Sequence, residues 1–169
     1  MSEYIATPRA TSAPFEPVVV ALVAATTKTV LQVGVPGTTD IRIIGWGVSF
    51  DGASSAAVPV ICHLMQTDVA ASAGTSLTPD QWGNDLATAS LCVGGTAATG
   101  YNFGTENTIT GTPRIFDSQH VHPQAGYGVF FPEVRWQPKV PVSKFVRLRC
   151  KAPAGVNVIP WILWTEPGI

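Results

Sequence analysis

Glycine and proline interrupt this chain before any apolar run grows longer than a strand, and that punctuation limits the fold more than any other property of the sequence. The runs are β-branched or alternate at a period of two, and none keeps a helical period beyond about two turns. Residues 18–23 are apolar on both faces. Over 29–34, Thr29, Leu31 and Val33 alternate with Val30, Gln32 and Gly34 before a Pro36-Gly37 turn. Over 40–50, Ile44, Trp46, Val48 and Phe50 form a bulky face, and Gly45, Gly47 and Ser49 form a small one. Another backbone or side chain can close onto such a small face. Residues 58–66 follow, with Pro59 marking a strand start or edge. Tyr127, Val129 and Phe131 alternate, and 134–136 continue beyond Pro132. In 145–151, Val146, Leu148 and Cys150 are expected to face inward and Arg147, Arg149 and Lys151 outward. The run 156–164, around Pro160, is apolar on both faces. Roughly eight or nine strands at this spacing predict an all-β chain, a single β-sandwich of jelly-roll-like type.

Two stretches depart from this rhythm. Residues 1–16 hold Pro8 and Pro14 without apolar periodicity, which predicts an extended N-terminal arm outside the core, with 17–169 as the sandwich domain. Tyr4, Ile5 and Phe15 make such an arm costly to leave in water, so it is expected to dock on a neighbour. From 67 to 111 the sequence loosens into Ala, Ser, Thr and Gly. Thr78-Pro79-Asp80 has the cap, proline and acid of a short helix start. Residues 87–93 suit a strand, and 94–104 read as a surface loop that lacks the Gly-Lys-Ser/Thr ending of a phosphate loop.

Composition narrows the function. Only 12% of residues are charged, against about 25% on average. A lone globule usually covers itself with charge, so a chain this sparing is expected to cover itself with copies of itself or with a larger assembly. A net charge of −1 argues against a generally basic nucleic-acid binder. The positive charges nevertheless gather late in the chain, at Arg135, Lys139, Lys144, Arg147, Arg149 and Lys151, with Glu133 as the nearby acid. They suggest a docking face for an acidic protein. No apolar run approaches the roughly 20 residues of a membrane span, and no secretory leader is read at the start. Cys62, Cys92 and Cys150 have neither an even count nor CxxC spacing, so buried thiols and a cytoplasmic folding environment are expected.

The candidate chemistry is thin. Asp117-Ser118-Gln119-His120-Val121-His122 puts two imidazoles on one strand face, yet two histidines fall short of the three or four ligands of a working zinc site. Asp117, Ser118 and His120 lie too close in sequence for a catalytic relay, and no Gly-x-Ser-x-Gly elbow exists. The expectation is therefore a protein without catalytic residues, metal or cofactor. Five tryptophans invite a glycan-binding reading. Trp46, Trp161 and Trp164 fit core or subunit-interface packing better, which leaves Trp82 as the exposed one.

The phrases TTKTVLQV, IRIIGWGVSFDG, AVPVICHLMQTD and PEVRWQPKVPVSKFVRLRCKAPAGVNVIPWILWTE, spread over residues 18–166, resemble capsid decoration (cement) and minor capsid proteins of tailed bacteriophages that infect actinobacteria. The resemblance implies a β-sandwich made in the host cytoplasm and carried on the virion surface. It also implies a homotrimer that contacts the major capsid protein, with no enzymatic activity, cofactor, nucleic acid or membrane partner. On that reading Tyr4, Ile5, Phe15, Arg147, Arg149, Lys151, Trp161 and Trp164 are the candidate capsid or subunit contacts. The alternative is a receptor- or glycan-binding module of a tail or head fibre, which requires exposed aromatics near Trp82 and the 94–104 loop.

Overall fold

The computed structural model describes residues 2–10, 16–52, 58–83, 88–104, 106 and 108–167. Those residues form thirteen strands and no helix. In chain order they are β1 (Ser2–Ala6), β2 (Val20–Leu22), β3 (Thr27–Gly34), β4 (Ile41–Phe50), β5 (Val60–Thr67), β6 (Thr75–Ser76) and β7 (Asp80–Gln81). They continue as β8 (Gly100–Tyr101), β9 (Arg114–Val121), β10 (Gly126–Phe130), β11 (Lys139–Val140), β12 (Phe145–Lys151) and β13 (Val156–Glu166). Two antiparallel sheets pack face to face as a β-sandwich. One runs β10-β4-β13-β1-β7, with β11 also on β4 and β2 on β13. The other runs β6-β8-β3-β12-β5-β9.

The core is the sum of the inward residues of both sheets. Trp46, Ile41 and Ile43 from β4 and Ile162 and Trp164 from β13 meet Leu31, Leu64 and Leu148 of the facing sheet, all fully buried. The alternation over 40–50 holds only in part. Leu163 pairs with Gly45 but Trp164 pairs with Ile43, so a bulge takes up Ile44 and the inward set runs Ile41, Ile43, Trp46, Val48. Pro160 lies in the interior of β13 without breaking it. Its carbonyl accepts a bond from Thr7 Oγ1 at 3.2 Å, on the flank between the stretches held by β2 and β1. Backbone N and O of one extended residue point the same way, so the missing N–H falls in that gap instead of in the β4 ladder.

The outer face of the six-stranded sheet is roofed by its own loops. Gln32 donates to the Ala98 carbonyl (2.6 Å) and accepts from the Ala71 N–H (2.9 Å). Arg147 reaches the Val69 carbonyl and Glu106. This roof is why β3 reads as buried on both sides and why Thr29, Gln32 and Arg147 count among the buried polar residues.

Five local expectations are corrected by the structure. Residues 2–6 are not an arm outside the core: β1 pairs with β13 from Ser2–Glu166 to Ala6–Ile162, and Tyr4 is only 3% exposed. The helix start at Thr78-Pro79-Asp80 is instead β7, where Asp80 and Gln81 pair with Ile5 and Tyr4. An open strand edge outweighs a helical cap whose following residues supply no apolar stripe. The 94–104 segment is no free surface loop, since Gly100–Tyr101 is a strand and Tyr101 and Phe103 are buried. Residues 134–136 form a turn, and 88–93 contain no strand.

Candidate interaction face

Cross-strand register assembles an aromatic trough on the outside of the seven-stranded sheet. Residues directly opposite in a ladder share a face. Ile5 pairs with Leu163, Leu163 with Gly45 and Gly45 with Phe130, so one row crosses four strands. The neighbouring row is Trp161, Gly47 and Gly128. The glycines make the trough possible. A Cβ on Gly47 would sit 2.5 Å from Trp161 Nε1, and one on Gly45 would sit 2.9 Å from Phe130 Cδ1. Both rings therefore lie down on bare backbone, with their centroids 5.3 Å apart. Trp82 closes the far side, held to β1 by its N–H bond to the Glu3 carbonyl (2.7 Å).

The resulting hollow is about 210 Å³ and is lined by Ile5, Trp82, Phe130, Trp161 and Leu163. Phe130 is 57% and Trp82 48% exposed. An antiparallel sheet usually turns a polar face to water. This one turns indole, phenyl and aliphatic carbon, with Glu3, Arg42 and Asp80 beside it on the same face.

The sequence-predicted contacts divide unevenly over this geometry. Ile5 and Trp161 line the trough. Trp164 is fully buried, its Nε1 donating to Glu166 Oε1 at 3.0 Å, so it serves the core and not a partner. Tyr4 likewise packs on Trp164, centroids 6.2 Å apart, and donates its hydroxyl to the Thr88 carbonyl. Phe15 lies outside the described residues. Arg147 was expected to face solvent and is fully buried beneath the loop roof. Its Nε donates to Thr29 Oγ1 (3.1 Å) and its Nη2 to Glu106 Oε2 (2.6 Å). Arg149 shares the same carboxylate oxygen at 3.0 Å, and Lys151 is exposed. The basic face is thus smaller than the sequence suggests, and two histidines stand beside it. Arg149 pairs with His63 and Lys151 with Ile61, which in turn pairs with His120. Burial, then Arg149 and His120, hold His63 below the usual imidazole range.

Asp117 and Ser118 point to opposite faces of β9. Ser118 Oγ lies 2.8 Å from His63 Nδ1 on the outside. Asp117 turns into the sandwich and accepts bonds from Trp46 Nε1 (3.1 Å), the Tyr127 hydroxyl (2.9 Å), Gln119 Nε2 (2.7 Å) and the Ser118 N–H (2.8 Å). It ties the two sheets together and cannot orient His63. His122 Nδ1 accepts the Gln124 N–H at 3.2 Å, shaping the turn into β10. Among the described residues, no three His, Cys, Asp or Glu side chains gather to hold a metal. Cys62, Cys92 and Cys150 are buried free thiols, with Cys62 and Cys150 in sulfur contact at 3.5 Å across paired strands.

No protein family, curated protein or solved structure matches this chain. The trough itself stands as the candidate site. The sequence points to four of its parts: the small face at Gly45 and Gly47, the apolar Trp161, Ile5 as a contact and Trp82 as an exposed ring. It does not show their union with one another and with Phe130, because that union depends on register across five strands.

Proposed function

We propose that this chain is a structural, non-enzymatic subunit that associates with copies of itself, expected as a trimer, and cements the outer surface of a bacteriophage capsid. The observation that carries the self-assembling part is the aromatic trough. A sheet face of Trp161, Phe130, Trp82, Ile5 and Leu163 costs free energy in water and has the aromatic-rich character of interface centres. The low charge content supports the same reading. The capsid location rests on the resemblance of the sequence phrases. Lys151 and Arg149, on the outside of the other sheet, then offer a small positive surface for acidic shell loops.

A glycan-binding module is the alternative, and Trp82 is exposed as that reading requires. That reading also requires exposed aromatics in the 94–104 segment, where Tyr101 and Phe103 are buried.

The test is quantitative mass spectrometry of purified phage particles whose genome encodes the chain, paired with light scattering of the isolated protein. The expected result is a fixed ratio to the major shell subunit and a mass in solution above one chain. Absence from particles removes the capsid role. A monomer on particles and in micromolar solution removes the self-assembly.

A further inference from the structure

We propose that Trp136 of one copy seats in the aromatic trough of a second copy, so that subunits join head to tail. The inference rests on the trough being a subunit interface and adds its occupant. The turn that carries Trp136 leaves the sheet right after β10 and returns as β11. It is braced by the Trp136 N–H to Glu133 carbonyl bond (2.8 Å) and by Gln137 Nε2 to the Phe131 carbonyl (3.1 Å). Arg42 Nη1 also reaches the Val134 carbonyl at 3.4 Å. Pro132 and Pro138 flank it. This rigid turn nevertheless holds Val134 and Trp136 out in water, 55% and 53% exposed. Ordering a bulky apolar side chain in advance removes much of the entropic cost of using it as an anchor.

The size and charge of the two features match. An engineered apolar cavity of about 150 Å³ accommodates benzene, so the trough, at about 210 Å³, has room for the larger indole. The knob carries Arg135, whose guanidinium lies 5.1 Å from the Trp136 ring centroid. Its Nε bonds Glu133, and its terminal nitrogens have no intramolecular partner among the described residues. Across the interface they meet Glu3, which has no ion-pair partner among the described residues, whereas Asp80 is already paired with Arg9. Knob and hole are different patches of one surface, so the head-to-tail contact generates a ring, such as the expected trimer, when the rotation between successive copies closes.

Two experiments on the full chain decide this. Light scattering is run on wild type, Trp136→Ala and Trp136→Phe, with thermal melts confirming that each folds. Loss of Trp136 should weaken association by about 30-fold or more, the scale of an aromatic hot spot, and phenylalanine should restore part of it. An oligomer indifferent to Trp136→Ala overturns the knob while leaving the trough as an interface; a monomeric wild type overturns both. The second experiment mixes Arg135→Cys with Glu3→Cys under oxidised glutathione. A disulfide-linked dimer that needs both variants supports the head-to-tail contact. Glu3→Cys linking to itself, or no mixed dimer from an oligomeric protein, overturns it.

Discussion

Asp117 draws four donors onto one carboxylate, and two of them, Trp46 and Tyr127, come from the opposite sheet. Burial first, then the bond to Asp117 and its charge, push the Tyr127 phenol up to about 12. A free tyrosine ionises near pH 10. The folded value lies above the unfolded one, so this contribution to stability is whole below about pH 10 and is lost as pH climbs toward 12. Melts across that window should fall more steeply for wild type than for Tyr127→Phe; parallel curves would refute the assignment. Arg147 makes a second point at this scale. Glu106→Ala should cost about 3–5 kcal/mol in denaturant unfolding, because it strands a fully buried guanidinium. A loss below about 1 kcal/mol, ordinary for an exposed pair, would mean that water reaches it. Gly47→Ala tests the trough floor. The added methyl meets both the Trp161 ring and the Tyr127 carbonyl, so a loss of about 1–3 kcal/mol with altered tryptophan emission is expected, and an unchanged protein would contradict the close approach.

At the scale of elements, the strands that alternate or bear β-branched runs were legible. Residues 145–151 emerge with the alternation as read, and 41–50 as a strand whose expected bulky face holds from Trp46 but not at Ile44, where the bulge falls, because a half-buried strand writes its faces into a period of two. What escaped was whatever a distant partner decides. β1 shows only Tyr4 and Ala6 on one side and Glu3 and Ile5 on the other, too brief a pattern among prolines to outweigh the look of a tail. β7 is two residues that become a strand because β1 is there to pair with. Arg147 alternates outward as expected, yet a roof brought by Val69, Ala98 and Glu106 covers it, and no period along β12 encodes that roof. The N-terminal segment therefore carries a prediction opposite to that of a loose arm. Deleting residues 1–10 removes Tyr4 from the core and Ile5 from the trough, and should lower the melting temperature by several degrees or more. A truncated protein with an unchanged melt would show that β13 does not need its neighbour.

Over the whole molecule, the first described strand and the last lie side by side, Ser2 against Glu166. The trough draws on both: Ile5 comes from one end of the chain, Trp161 and Leu163 from the other. If copies associate through the trough as we propose, this order of manufacture on the ribosome is protective. A nascent chain displays Ile5 early and Trp82 and Phe130 midway, but it has no hollow until β13 has emerged and closed against β4 and β1. Neighbouring chains on one messenger cannot lock together through a surface that does not yet exist. Competence to associate through the trough then arrives only once β13 is made.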